Sequence, residues 1–334
     1  MKLVRKVKQV KAYLPEKDLI IVGDNVTSLK TNKNITIDNA FRLFDLKDEI
    51  LVTDNLNNPY FINEDLDILK KEIRFKIPFV TFPYLKYLIK TSPRTHGLIN
   101  CIQKEKIFEI NVEFGRDIFP PYIFLDDITC RDINTGNILW HFDISQFGQW
   151  KNFEDQDRNY EVEQFVGVSG GCLYVLLSNF KLIALHVETG ELLHQLNLGE
   201  IFALEPRNWL SYSSKMHLDK VNNRIIWLSS ATLLHIDLAN FSAKLIKDFF
   251  NVPIENLWRF KCSNFQEQQL LFTAQQGREG GDPDIVGIMN PDTGEIDWQY
   301  QIQNTEGLYE EPQLANNKLY VRSLDNDLYI FGKQ

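Results

Sequence analysis

The chain predicts an all-β fold, a closed β-propeller of eight four-stranded blades, and three observations carry that expectation. A Thr-Gly turn frame recurs three times with constant internal spacing, eight β-rich runs follow one another at blade-like intervals, and the first residues complement an incomplete last repeat. Repeats are read before motifs because each is a unit that cannot bury its apolar face alone, so their period sets the architecture.

The turn frame stands at Cys130-Arg-Asp-Ile-Asn-Thr-Gly-Asn-Ile-Leu-Trp140, at Ala184-Leu-His-Val-Glu-Thr-Gly-Glu-Leu-Leu-His194 and at Ile288-Met-Asn-Pro-Asp-Thr-Gly-Glu-Ile-Asp-Trp298. Each copy reads as a strand, a tight turn whose glycine accepts a positive φ, and an antiparallel return strand. A further β-rich run precedes each copy, at 122–125, 173–177 and 269–273. Similar runs stand at 19–22, 50–53, 87–89, 225–228 and 319–321, where the Thr-Gly turn is degenerate or absent. Spacings of roughly 30 to 50 residues suit four-stranded blades. Seven blades is the alternative, because the repeat near Phe119 leaves little room for an innermost strand. The tract 66–76 is the one place that admits a helical turn.

The chain ends on two strands, 318–331, that lack the outer return strand of a blade, and residues 3–10 can supply it. Closure of this kind removes an open sheet edge, and Lys2, Arg5, Lys6 and Lys8 fit an outermost strand kept soluble by charge. A basic arm for an acidic partner is the competing reading of the same residues. One propeller domain spanning 1–334 is expected.

The frame small-x-Asp-x-x-Thr-Gly-x-x-x-Trp, complete at Cys130, Asp132, Thr135, Gly136 and Trp140, resembles the docking repeat of the quinoprotein-type, pyrroloquinoline-quinone-like propellers. The copy ending at Trp298 has Asn290 in place of Asp, and the copy starting at Ala184 has His186 and His194 in place of Asp and Trp. The resemblance implies that the Trp packs between blades. It also implies a choice of function, because such propellers include quinone-dependent dehydrogenases as well as cofactor-free assembly scaffolds, and fold fixes little about function. The vicinal Cys-Cys pair and the CxxCH haem site that mark many of the enzymes do not occur in this sequence.

Hydrophobic residues at 44% and 23 Phe supply a core and exclude disorder. The net charge of −9 disfavours nucleic acid, whose affinity comes from clustered Lys and Arg. The first ten residues hold no apolar stretch of signal-peptide length, and no run of eighteen apolar residues occurs, so a cytoplasmic monomer without a membrane segment is expected. The cysteines at 101, 130, 172 and 262 form no CxxC pair and read as free, buried thiols.

Candidate chemistry is sparse. The string 155–163 places oxygen ligands at alternate positions as an EF-hand loop begins, but Tyr160 stands where its glycine should and Val166 at its twelfth position. The glycine-rich stretch 276–284 lacks the Lys-Ser/Thr ending of a phosphate loop and reads as a loop between blade strands. His186 and His194 read as frame residues rather than metal ligands. No catalytic residue, metal or cofactor is nominated.

In such a blade the connection to the next blade and the loop between second and third strands lie at one end. Those connections are long and aromatic in the second half of the chain: 146–163 carries Trp150 and Phe153, 199–217 carries Trp209 and Tyr212, and 249–268 carries Trp258. The 276–284 loop adds Arg278, Glu279 and Asp282 at the same end. Long aromatic loops on a rigid scaffold are what protein recognition uses. The leading reading is a non-catalytic interaction propeller, a bacterial scaffold or immunity-type protein, whose acidic balance suits a basic protein partner. The other is an enzyme using the central funnel, quinone-dependent or acting on glycans.

Overall fold

The computed structural model describes residues 1–45, 49–56, 59–69, 80–84, 87–92, 95–100, 105–110, 116–125, 127–152, 154–201, 215–229, 231–249, 258–276, 284–303, 307–308 and 310–332; of Pro59, Arg116 and the strands between 80 and 110 it describes the backbone alone. Eight four-stranded antiparallel sheets follow one another along the chain. Blade 1 is built from Val10–Leu14, Leu19–Val22, Asn25–Ser28 and Asn34–Thr36, and blade 2 from Ala40–Asp45, Ile50–Asp54, Pro59–Ile62 and Ile68–Leu69. Blade 3 comprises Val80–Tyr84, Tyr87–Ser92, Thr95–Asn100 and Glu105–Ile110. Blade 4 comprises Arg116–Phe119, Tyr122–Leu125, Thr129–Asp132 and Ile138–His141, and blade 5 Val162–Ser169, Cys172–Leu177, Lys181–His186 and Leu192–Asn197. Blade 6 follows with Met216–Asp219, Arg224–Leu228, Thr232–Asp237 and Ser242–Asp248, and blade 7 with Trp258–Gln266, Gln269–Gln276, Asp284–Met289 and Ile296–Ile302.

Blade 8 takes Gln313–Ala315, Lys318–Arg322 and Leu328–Gly332 from the end of the chain and its fourth strand, Lys2–Val7, from the beginning. The ring is therefore closed by the first strand, which stops at Val7; Val10 already opens blade 1. Arg116–Phe119 is short but fully paired, Arg116 with Leu125 and Phe119 with Tyr122 across the two-residue Pro120–Pro121 turn, so the count is eight and not seven. The tract expected to admit a helical turn instead gives blade 2 its outermost strand at Ile68–Leu69, and its remainder, 70–76, lies outside the described residues. Helical turns occur at Pro15–Lys17, Ile144–Phe147 and Leu198–Ile201. Pro15 presets the first helical φ, and Asp143 caps the second by accepting the Ser145 N–H at 2.9 Å. No helix among the described residues is long and apolar enough to cross a membrane.

The core lies in the seams between blades. One cluster joins Phe124, Cys130 and Trp140 of blade 4 to Leu173, Val175 and Ile183 of blade 5, and another joins Tyr174 and Leu182 of blade 5 to Ile225, Trp227 and Leu234 of blade 6. Both faces of the sheets in blades 1 and 5 to 8 are thus covered, which is why their middle strands read as continuous apolar runs rather than alternating ones. Cys130 and Cys262 are buried and Cys172 half-buried, all three as free thiols; burial, then Asp132, pushes the Cys130 thiol up to about 12, so it is inert. Cys101 lies outside the described residues.

The turn frame is the device that docks one blade on the next. Asp132 accepts hydrogen bonds from the backbone N–H groups of Asn134 and Thr135 and from the Thr135 hydroxyl, and Gly136 follows with a φ of 73°. Trp140, on the return strand, donates its Nε1–H to the Val187 carbonyl of blade 5 at 2.9 Å and lies flat on Gly190. A Cβ at Gly190 would sit 2.5 Å from the indole ring, so the glycine is required for close approach as well as for its φ of 74°. In blade 5 the ring at the same position is His194, stacked on Phe241 of blade 6 at 5.1 Å. Trp298 of blade 7 donates to the Met1 carbonyl at 3.0 Å and meets Phe331 edge-on, so the closing strand is docked by the same device.

Blade 6 carries no such ring and docks by a different route. His235, on its third strand, bonds through Nε2 to the Pro291 carbonyl at 2.9 Å, the counterpart in blade 7 of the Val187 carbonyl. That acceptor requires the proton on Nε2, leaving Nδ1 to accept from Arg224. Lys247 donates to the Gly294 carbonyl at 3.1 Å. Arg224 also bonds Asp219 at 2.9 Å and pairs with Asp292 across the seam. Burial opposes ionisation of Asp219, but hydrogen bonds from Asn222 and Arg224 outweigh it and hold the carboxyl below the usual range.

Polar side chains also stitch the innermost strands. The Gln164 amide both donates to and accepts from the Met216 backbone at 2.8 Å, Asn264 donates to the Pro312 carbonyl at 3.0 Å, and His217 Nε2 meets Ser263 Oγ at 2.9 Å. Desolvation, then Lys215, lowers the His217 pKa from 6.5 to about 4. A depressed folded-state pKa favours the folded state above 6.5, and that contribution is lost as pH falls through about 4. The expected result is that His217→Asn flattens the loss of stability between pH 6.5 and 4 by on the order of 2 to 3 kcal/mol, read from urea unfolding at successive pH values.

Candidate functional site

The connection from blade 4 to blade 5 carries an element that belongs to no blade: a hairpin in which Gln149–Lys151 pairs with Asp157–Asn159, Trp150 opposite Arg158. Among the described residues it is the one sheet outside the eight. Its turn is made by Asn152, whose side-chain oxygen accepts from the backbone N–H groups of Glu154 and Gln156. Lys151 pairs with Asp157 at 2.9 Å. Both strands are exposed except for Trp150, which is half-buried and donates its Nε1–H to the Asn159 carbonyl at 3.3 Å.

Isolated two-stranded hairpins are marginal in water, so this one depends on its base. Phe147, which enters the hairpin, and Tyr160, which leaves it, meet edge to face at 6.0 Å, and Phe147 also touches buried Phe142. The Lys181 ammonium lies 4.9 Å from the Phe147 ring and 5.3 Å from the Tyr160 ring, adding a cation–π clamp. The Ser178 N–H donates to the Glu161 carbonyl at 2.9 Å, and Glu161 N–H donates back to Ser178 Oγ at 3.1 Å. Ser178 and Lys181 flank the turn between the second and third strands of blade 5. The hairpin therefore rises from the end of the propeller shared by those turns and the interblade connections. Beside it Glu163, an exposed residue, has its carboxyl pushed up, first by desolvation and then by Glu161.

Trp258 sits otherwise than its sequence context suggested. It opens the innermost strand of blade 7 instead of lying within the connection, stacks parallel to Phe260 at 5.6 Å and meets Phe272 edge-on at 5.8 Å. Half-buried against the seam of blades 6 and 7, it leaves only part of its ring toward the same end. Nearby, Lys215 and Glu311 pair at 2.5 Å between the connections leading into blades 6 and 8. Phe153, Trp209, Tyr212, Arg278, Glu279 and Asp282 lie outside the described residues. Of the eight residues proposed for this face, the structure thus places Trp150 and Trp258, on different blades and in different settings. Of Phe147, Tyr160 and Lys181, which hold the hairpin, the sequence marked only Tyr160, and that as the residue that breaks an EF-hand pattern, since a cation seated on two rings leaves no local pattern.

The alternating acids at 155–163 run from the hairpin turn through its second strand into the first strand of blade 5, and Lys151 already engages Asp155 and Asp157. Among the described residues no group of three or more His, Cys, Asp or Glu is placed to hold a metal ion. His186 serves the turn frame, its Nδ1 3.2 Å from the Thr189 hydroxyl.

No family model matches the chain, and no curated protein does. Solved structures do match over nearly its whole length. The computationally designed Ika8 protein aligns with a TM-score of 0.61 at 9% identity, covering 99% of this chain and 98% of that one. BamB from Moraxella catarrhalis aligns at 0.58 and 13% identity, covering 99% and 97%. Sqt1 from Saccharomyces cerevisiae aligns at 0.61 and 10% identity, covering 99% and 98%. At such identities the likeness is one of fold: the chain is an eight-bladed β-propeller distantly similar to these structures.

Proposed function

We propose that the protein is a non-catalytic interaction propeller that binds another protein on the end bearing the Gln149–Asn159 hairpin. The observation that carries this reading is the hairpin itself, a clamped, solvent-exposed element that completes no blade and presents Trp150. Structure that burdens the fold without adding to its core is best accounted for by contact with a partner. A scaffold or immunity-type role fits, and the turn frame at Asp132, Thr135, Gly136 and Trp140 supports kinship with cofactor-free quinoprotein-type propellers. From Gln149 to Glu163 five carboxylates, at 154, 155, 157, 161 and 163, outnumber Lys151 and Arg158, which favours a basic surface on the partner.

The test begins with affinity capture from lysate of the source organism and mass spectrometry, then measures affinity and thermal midpoint together on each variant. Trp150→Ala is expected to weaken binding by about 2 kcal/mol with an unchanged midpoint, as an interface anchor does. Trp258→Ala, by contrast, should lower the midpoint through its contacts with Phe260 and Phe272. A complex that maps to the end carrying the Thr-Gly turns, or a Trp150→Ala variant that loses binding only by unfolding, would overturn the assignment.

A further inference from the structure

The closing strand offers a second docking surface, of opposite charge. In a chain with 45 acidic and 36 basic residues, the first eleven positions hold Lys2, Arg5, Lys6, Lys8 and Lys11 and no acid. Folding places Lys2–Val7 at the rim of blade 8, one edge paired with Leu328–Gly332 and the other open. Among the described outermost strands it alone carries three Lys or Arg without an acid. Lys6 pairs with Asp327 and Lys11 with Asp24, but Lys2, Arg5 and Lys8 form no ion pair among the described residues. The next blade's turn, whose Leu29 packs into the same seam as Leu328 and Ile330, adds exposed Lys30 and Lys33.

Guarding an edge strand against aggregation is one role for such lysines. It does not account for the apolar surface between them: Val4 is 60% exposed and Leu3 36%. A bulge between Leu3 and Arg5 turns Val4 outward, so an open edge, an apolar step and three unneutralised cations share one strip. We infer that this strip binds an extended, acidic peptide segment of a partner protein, laid along the closing strand. Six strand residues span about 20 Å. That length suits a short segment. Duplex nucleic acid or an anionic membrane would extend beyond it and meet the rest of the chain, whose formal net charge is −14 once the +5 of residues 1–11 is set aside from −9.

The probe is a fluorescein-labelled twelve-residue peptide of alternating Glu and Val, followed by fluorescence anisotropy at low salt. The unmodified protein should bind it, the same peptide with Lys for Glu should not bind, and added salt should weaken the complex. The charge-reversed variant Lys2→Glu/Arg5→Glu/Lys8→Glu should bind at least about tenfold more weakly with its thermal midpoint retained. Should reversal prevent folding, Lys2→Gln/Arg5→Gln/Lys8→Gln gives the same reading. Trp150→Ala should bind as the unmodified protein does, which separates this surface from the hairpin. Equal binding by the charge variant, no binding by the unmodified protein, or tighter binding of duplex DNA or phosphatidylserine vesicles would each overturn the inference.

Discussion

Replacing Trp140 with alanine is expected to destabilise the protein by about 3 to 5 kcal/mol, the range of buried aromatic truncations. Its side chain is 8% exposed and packs against Phe124 at 5.9 Å in the seam of blades 4 and 5. Truncation removes that packing and leaves the Val187 carbonyl without the indole donor. The same variant exposes Gly190, whose missing Cβ exists to receive the ring, so the cavity cannot be refilled by the neighbouring turn. Gly190→Ala tests the pairing from the other side, since it must displace the ring while straining a φ of 74°. Urea unfolding of both variants checks the claim; a loss under 1 kcal/mol for Trp140→Ala would mean that the docking device is dispensable.

The blade count and the docking frame were legible in the sequence because their physics is local. Asp132, Thr135 and Gly136 make a turn with bonds confined to six residues, and the apolar runs mark strands buried on both faces. Partner identity across a seam was not legible. The frame locates Trp140 and Trp298, but nothing local shows that His194 keeps a stacking role through Phe241, or that blade 6 moves its donor to His235 on the third strand. Those roles are defined by residues about fifty positions away. The hairpin was seen only as a long loop for a related reason: three-residue strands such as Gln149–Lys151 and Asp157–Asn159 show no apolar alternation, and their pairing is set by Asn152 and by the clamp at Phe147, Tyr160 and Lys181. Trp150 and Trp258 looked alike as loop aromatics, yet one stands on an exposed hairpin and the other stacks on the core, a distinction that depends on tertiary contact.

Deleting residues 1–7 should have the larger effect, on the order of 5 kcal/mol or more, with new self-association. The segment it removes covers Leu328–Gly332, in which every residue is buried, with its strand Lys2–Val7, and supplies the Met1 carbonyl that receives Trp298. Uncovering one edge of Leu328, Tyr329, Ile330 and Phe331 forfeits part of the roughly 1.5 to 3 kcal/mol that each buried apolar side chain contributes, together with the ladder hydrogen bonds. The ring would still be held elsewhere at the same seam. Asp18 accepts from the Tyr320 hydroxyl at 2.5 Å and from Lys318 at 2.9 Å, Asn316 reaches the Pro15 carbonyl at 3.2 Å, and Arg322 reaches the Val10 carbonyl at 3.1 Å. Burial, then Asp18, raises the Tyr320 pKa, so the phenol stays a neutral donor at ordinary pH. The shortened protein should therefore remain folded at low temperature, unfold at a much lower urea midpoint, and associate through its bare apolar edge on size-exclusion chromatography. A synthetic peptide of residues 1–8 added in trans should pair with that edge, raise the midpoint and reverse the new self-association, as strand addition does in other open sheets. An unchanged midpoint after deletion would show that the side-chain bonds between blades 8 and 1 are sufficient, and that closure by the first strand adds nothing to stability.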